Sequence, residues 1–307
     1  MGANDPGGVG QPPVTEAPFF PGPPSTSGPR SRRKWRVLGA IAVVVLLVVG
    51  YLIGGAIAAG ASAASADRAL TTTVAHQDTI GPTLTLDAFN GLDLKSPTVD
   101  ISAVKAALAK FDTQVPTALS LVRADRAALL QARPGSGSAL TLPEQGLLNR
   151  DRQRVDAGLA ALKSAETALT YDQLGSAFLH PFLDAIGGLE GLTKSEQAND
   201  LPGALAQLAL TDASLQKALA LAKPPAVPPP LVTLVKDLQT LVADLKGLLT
   251  AAQAHDVAGF NKWTAAGDAD SKKVASFDQT AADNADKAVF KTLSDSYNSQ
   301  MKIAAGG

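Results

Sequence analysis

Residues 37–59 read VLGAIAVVVLLVVGYLIGGAIAA, and this charge-free stretch decides the topology of the chain. Its 23 residues form about 35 Å of α-helix, enough to cross the ~30 Å hydrocarbon core of a bilayer. A helix is the structure that a single segment adopts in lipid, because lipid offers no partner to free backbone N–H and C=O groups. The sequence therefore predicts one N-terminal transmembrane helix.

The charges that flank this segment predict its orientation. Five cations precede it, whereas the far side carries only Asp67 and Arg68 close to its end. Because positive charge is retained on the cytoplasmic side, we expect a cytoplasmic N-terminus and an extracytoplasmic C-terminus in the cell membrane. The cations that flank the membrane are Arg30, Arg32, Arg33, Lys34 and Arg36.

The apolar segment also admits two other interpretations. The small residues at 61–63 and 64–66 resemble sites where a signal peptide is cleaved. Signal peptides have shorter apolar cores of about 7–15 residues, so we favour a retained signal-anchor and keep cleavage open. A buried helix of a soluble protein is the third interpretation, and so long a stretch without charge disfavours it.

Composition divides the chain into four parts. Residues 1–36 are rich in Pro and Gly and predict a disordered cytoplasmic tail that ends in the basic cluster. The transmembrane helix at 37–59 is followed by a juxtamembrane helix and loop at 60–98, where Gly81-Pro82 predicts the end of the helix. Residues 99–307 predict an extracytoplasmic helical domain.

Apolar residues of this domain recur at intervals of three and four, which predicts an all-α fold. In the first helix the stripe begins at Ile101, and Pro116 predicts a kink. The later helices are expected from Pro143 onward, at 172–198 with a bend at Pro181, and at 201–222, 230–254, 257–277 and 283–303.

An internal repeat organises the second half of the domain. Residues 189–219 and 245–275 are identical at 11 of 31 positions without a gap. The repeated unit reads as helix, tight turn and helix, with Asp200 and Asp256 placed to cap the second helix of each unit. We therefore expect an extracytoplasmic bundle of stacked helical hairpins.

Few residues in the chain point to chemistry. There is no cysteine, and His76, His180 and His255 lie far apart with no ligand spacing between them. His180, which precedes Pro181 in an apolar stretch, is predicted to pack in the core, and His255 is predicted to serve the turn of the second repeat. No nucleophile, base and orienting group can be assembled, so we predict neither an enzyme nor a cofactor. From Asp67 onward there are 22 Lys and Arg against 26 Asp and Glu, which argues against nucleic acid as a partner.

Two pairs of residues stand out as candidates for binding. Asp212 and Asp268 occupy equivalent positions of the two repeats, and each predicts either a cation or polar-ligand site between hairpins or a structural ion pair. Gly50 and Gly54 form a GxxxG motif, whose small residues permit close packing of two transmembrane helices and hence a homodimer.

The sequence thus supports two functional hypotheses. The first is a membrane-anchored protein whose helical extracytoplasmic domain is an interaction module or scaffold, with the lipid bilayer and a protein or a second copy as partners. The alternative is a ligand-sensing ectodomain that acts through a separate cytoplasmic effector.

Overall fold

The computed structural model describes residues 31–84, 100–133, 145–198 and 200–306, and every regular element within these ranges is a helix. The predicted all-α class is confirmed. The helices are α1 (Ser31–Ala75), α2 (Gln77–Leu84), α3 (Ile101–Ala132), α4 (Gln145–Gln197), α5 (Leu201–Leu221), α6 (Pro229–Gln253), α7 (Val257–Ala275) and α8 (Gln279–Ala304).

The chain divides into two compact units, Met1–Tyr51 and Leu52–Gly307. In the first unit, α1 already begins at Ser31, inside the segment predicted as a tail. The tail residues before Ser31, and most of the loop predicted before residue 99, lie outside the described ranges.

In the second unit, α4 is the helix on which most of the others pack. It has 53 residues and is therefore about 80 Å long. Helices α3, α5 and α8 lie along it, and α6 packs against α5, α7 and α8. At Gly158 a Cβ atom would lie 3.0 Å from Leu129 of α3, 3.5 Å from Leu70 of α1 and 3.6 Å from Ala304 of α8. Four helices therefore share one layer of core at this position.

The apolar stripe predicted in α3 forms part of this core. Its buried members follow the expected three- and four-residue spacing over several turns, and Pro116 lies inside the helix. Burial of one face explains why the helix forms, since packing supplies most of the stability of a protein helix. The buried residues of this face are Leu108, Phe111, Val115, Leu119, Val122 and Leu129.

The structure joins two helices that the sequence separated. Residues 145–197 form the single helix α4, and Pro181 lies in its interior. A proline inside a helix removes one hydrogen bond and costs about 3 kcal/mol. Phe178 and Phe182 flank it, fully buried and stacked with ring centroids 5.6 Å apart. Their packing offsets the cost of the proline, so the helix continues.

The first break after the apolar segment also differs from the prediction. Gly81 and Pro82 do not end a helix; both lie within α2. The chain turns instead at His76, whose carbonyl accepts hydrogen bonds from the amides of Thr79 and Ile80 at 3.0 Å. This turn closes α1 and starts α2.

The turns of the internal repeat have the predicted caps. The carboxylate of Asp200 accepts from the amide of Gly203 at 3.0 Å, and that of Asp256 accepts from Gly259 at 3.0 Å. His255, predicted to serve the turn, has a φ of +52°, a left-handed conformation that His tolerates better than most residues. The N-cap prediction is confirmed for both repeats.

Candidate functional sites: an exposed apolar helix and three polar clusters

The apolar side chains of α1 change from exposed to buried at Ala59. Before it, Leu52, Ile53 and Ile57 are 45%, 55% and 68% exposed. Ala59 itself is buried, and Leu70 further along the helix is 1% exposed. Helix α1 therefore packs into the bundle from Ala59 onward and presents bare aliphatic surface before it.

The first unit also contains apolar residues of α1. Leu47, Val48 and Val49 are all exposed there. Within the described residues, one helix, over residues 47–75, is long and apolar enough to cross a membrane by length and composition. A contiguous exposed stretch of this kind marks a surface that is covered by lipid or by protein.

A first polar cluster joins the turn between α1 and α2 to the core. His76 Nδ1 lies 2.9 Å from Oδ2 and 3.0 Å from Oδ1 of Asp125 on α3. Tyr297 of α8 is buried nearby, and its hydroxyl has no hydrogen-bond partner among the described residues. Burial, together with the charge of Asp125, raises the pKa of Tyr297 to about 12. The pair of His76 and Asp125 thus connects the turn after α1 to α3.

A second cluster lies between α3 and α4. Ser176 Oγ donates a hydrogen bond to Asp112 Oδ1, and His180 Nε2 lies 2.7 Å from Asp112 Oδ2. The carboxylate stands between the hydroxyl and the imidazole, so the imidazole is not placed to take the proton of the serine. Ser176 is also buried. This arrangement cross-links two helices and does not activate a nucleophile.

The histidine of this cluster differs from the sequence interpretation. Its position before Pro181 indicated a histidine packed in the core. The side chain of His180 is instead 49% exposed and paired with Asp112. The partner lies 68 positions away in sequence, which is why spacing did not reveal it.

A third cluster pairs two buried acids of α6 and α7. Burial, and then the hydrogen bond and charge of Asp270, raise the pKa of Asp244. A hydrogen bond from Lys273, whose Nζ lies 2.6 Å from Asp270 Oδ1, lowers the pKa of Asp270. Of this pair, Asp244 is therefore the carboxyl that takes up a proton first as the pH falls.

The aspartates singled out from the sequence lie apart from this pair. Asp212 is partly exposed and accepts a hydrogen bond from Gln216 of its own helix at 2.9 Å. Asp268 is exposed on α7, two positions before Asp270. Two residues that are two positions apart on a helix point in different directions, so Asp268 is exposed while Asp270 is buried. The sequence pattern alone did not show which of the two is buried.

Most of the residues predicted to flank or pack within the membrane lie in α1, whereas Arg30 lies outside the described residues. The backbone of Arg32, Arg33, Lys34, Arg36 and Gly50 is helical, and their side-chain positions fall outside what the structure describes. At Gly54 an added Cβ would meet nothing within 4 Å. This glycine therefore leaves open space on the exposed part of the helix.

The buried acids are the polar residues that sequence reasoning missed. Among them, Asp125, Asp244 and Asp270 are 4%, 7% and 6% exposed. The one available signal was their helical phase with apolar neighbours, which also held for Asp212. In the described ranges, no three His, Cys, Asp or Glu side chains converge to hold a metal ion.

Comparisons of the chain with protein families, with curated proteins and with solved structures found no match.

Proposed function

We propose that the chain is a single-pass membrane protein, anchored by residues 37–59, whose helical domain is an extracytoplasmic scaffold. The change of exposure at Ala59 carries this proposal. The apolar segment ends at Ala59, and among the α1 side chains that the structure describes this is the first buried one. Bare aliphatic surface costs about 25 cal/mol per Å² in water, and a bilayer removes that cost.

The cation distribution supports an orientation with the N-terminus in the cytoplasm. The cluster at 30–36 precedes the span, and long loops or domains beyond a span have little influence on orientation. The helical domain would then stand outside the cell.

The scaffold role is supported by the shape of the second unit. Helix α4 is a continuous element of 53 residues, and α3 is tied to it by ion pairs along its length. Glu166 of α4, for example, accepts from Arg123 at 3.1 Å and from Arg126 at 3.0 Å. We propose that α4–α5 and α6–α7 are two stacked hairpins, and that this support presents them to a protein partner or a second copy.

Paired acidic substitutions test the anchor. We expect Val48→Asp with Ile53→Asp to move the full chain from the carbonate-resistant membrane fraction to the soluble fraction, since each charge near the middle of a span costs about 2.5–3.5 kcal/mol. The control is Leu210→Asp on α5, a leucine that is 63% exposed. Release of the unmodified protein by carbonate would contradict the anchor.

Cysteine labelling tests the orientation. The chain has no cysteine, so each introduced thiol is unique. On intact cells, a membrane-impermeant maleimide should label Leu210→Cys and leave Ser25→Cys unlabelled until the cells are opened. Labelling of Ser25→Cys alone would show the opposite topology.

The ligand-sensing alternative remains a hypothesis. It rested on Asp212 and Asp268, and their positions on the surface of α5 and α7 add no support to it.

A further inference from the structure

Helices α1 and α4 run side by side in the same direction within the second unit. Asp67 Oδ1 of α1 lies 2.8 Å from Arg154 Nη1 of α4. One turn further along both helices, Leu70 packs toward Gly158. Both contacts fix the same register, in which a residue of α4 is level with the residue 87 or 88 positions earlier in α1.

This register places the first turn of α4 where α1 leaves the bundle. Leu147 precedes Arg154 by seven residues and lies about 10 Å further toward the N-terminal end of both helices. It is therefore level with residues 59–60 of α1, where the apolar segment ends. Leu148 and Ala59 are both buried at this level, so the bundle is still packed there.

Two exposed residues mark the outer face of this turn. Leu147 is 63% exposed, and Arg150, three positions later on the same face, is exposed as well. The guanidinium of Arg154, one turn further along α4, already donates hydrogen bonds to Asp67 and to the carbonyl of Ala304. Arg150 makes no ion pair within the described part of the chain.

We infer that the first turn of α4 is a second membrane contact, seated in the outer interface of the bilayer beside α1. Leu147 enters the boundary between headgroups and acyl chains, and the guanidinium of Arg150 reaches lipid phosphate. A long cationic side chain near the end of a helix can reach the headgroups while an apolar one a turn below enters the acyl boundary. This inference rests on the anchor proposed above and adds the lipid surface as partner of the domain.

Spin labels on single cysteines test this contact in the full chain, reconstituted in vesicles of phosphatidylcholine and phosphatidylglycerol. The probe position is Leu147→Cys. The matched control is Leu210→Cys, because Leu147 and Leu210 are both leucines with 63% exposure. The control position is far from the probe. Thr211, the neighbour of Leu210, lies next to residue 188 of α4, and residue 188 is about 60 Å along α4 from Leu147. For each spin label, the measured quantity is the ratio of its collision rate with oxygen to its collision rate with a water-soluble nickel chelate. We expect this ratio to be several-fold higher at position 147 than at position 210.

A third label, at Ile53→Cys, separates failure of this inference from failure of the anchor. A lipid signature at 53 with an aqueous signature at 147 overturns the interfacial contact alone. An aqueous signature at 53 overturns both. A lipid signature at 147 and 210 alike would also overturn the inference, because contact would not be confined to the first turn of α4.

The role of Arg150 has its own test. Arg150→Gln should reduce the depth of the label at 147 more strongly in vesicles that contain phosphatidylglycerol than in phosphatidylcholine alone, because the phosphate of phosphatidylcholine is neutralised by its own choline. The control is Lys194→Gln, an exposed cation in the last turn of α4. An unchanged depth in both lipids would remove phosphate binding from the inference.

Discussion

The two repeats, 189–219 and 245–275, have the same turn but different surroundings. In the first, the amide of Asp200 donates to the carbonyl of Ser195 at 2.9 Å. In the second, the amide of Asp256 donates to the carbonyl of Ala251 at 2.9 Å. These pairs are related by the 56-residue shift. Local hydrogen bonding, which each unit satisfies alone, is thus preserved between the repeats.

The faces of the second helices differ. Helix α5 lies against both α4 and α6, whereas α7 packs along α6. Ala204 and Leu215 of α5 are 1% and 0% exposed. Their equivalents in α7 are Phe260, which is 40% exposed, and Ser271, which is also exposed.

The difference between α5 and α7 reflects whether a neighbouring helix covers the second helix of the repeat. Where a neighbouring helix covers the face, the sequence places leucine and alanine; where none covers it in the described structure, a polar residue such as Ser271 replaces a core leucine. Terminal units of stacked repeats carry a polar outer face for the same reason, since an apolar one would stay in water.

The largest expected effect separates a covered from an uncovered position. Leu215→Ala should lower the free energy of unfolding by about 2–5 kcal/mol, because it opens a cavity in the core. Ser271→Ala, at the equivalent position of α7, should change it by less than about 0.5 kcal/mol. Urea denaturation followed by circular dichroism measures both. Equal losses would show that α7 is covered as fully as α5.

A smaller effect comes from the glycines where the two helices of each repeat meet. A Cβ at Gly247 would lie 2.5 Å from the ring of Trp263, whereas a Cβ at Gly191 would lie 3.1 Å from Cδ of the flexible Gln207. We expect Gly247→Ala to destabilise by about 1–3 kcal/mol through overpacking. Gly191→Ala should be neutral or stabilise by up to about 1 kcal/mol through helix propensity.

Tryptophan fluorescence provides the second measurement of this contrast. The chain has two tryptophans, so a Trp35→Phe background leaves Trp263 as the single reporter. Gly247→Ala should shift its emission to the red as the ring is displaced toward water, and Gly191→Ala should not. An unshifted emission with unchanged stability would mean that the ring does not rest on Gly247.

The smallest effect concerns the acid pair, which the first repeat lacks. The pKa of Asp244 is raised in the folded state. Ionisation of this carboxyl therefore destabilises the fold as the pH rises from 3.8, its pKa in the unfolded chain, toward its raised pKa in the folded chain. Asp244→Asn removes this loss and should raise stability at neutral pH by less than about 1 kcal/mol, the net worth of one hydrogen bond.

Two controls define this result. The pKa of Asp270 is lowered, so its contribution is present above 3.8 and lost below it, and Asp270→Asn should destabilise at neutral pH. The exposed Asp268→Asn should leave the profile unchanged. The measurement is the thermal melting temperature of each variant from about pH 3 to about pH 8, a range that covers the titration of ordinary and raised carboxyl groups. A lower melting temperature of Asp244→Asn at neutral pH would contradict the raised pKa of Asp244.

Much of the fold could be predicted because its determinants are local. The core stripe of α3, the caps at Asp200 and Asp256 and the left-handed turn at His255 depend on residues a few positions apart. Periodicity and capping chemistry report such features directly.

The polar clusters could not be predicted, because their members are distant in sequence. His76 and Asp125 are 49 positions apart, and Asp112 is 64 from Ser176. Spacing rules connect neighbours on one helix and give no information about which two helices meet.

The sequence by itself determined the helical class, the repeat with its capped turns and an apolar segment that ends at Ala59. Only the tertiary structure decided that α4 continues through Pro181, that α1 breaks at His76, and that Leu147 lies level with the end of the apolar segment. The physical reason is the range of the interactions. Hydrogen bonds within a turn are fixed by adjacent residues, whereas the register of two helices and the tolerance of a proline depend on packing between segments far apart in the chain.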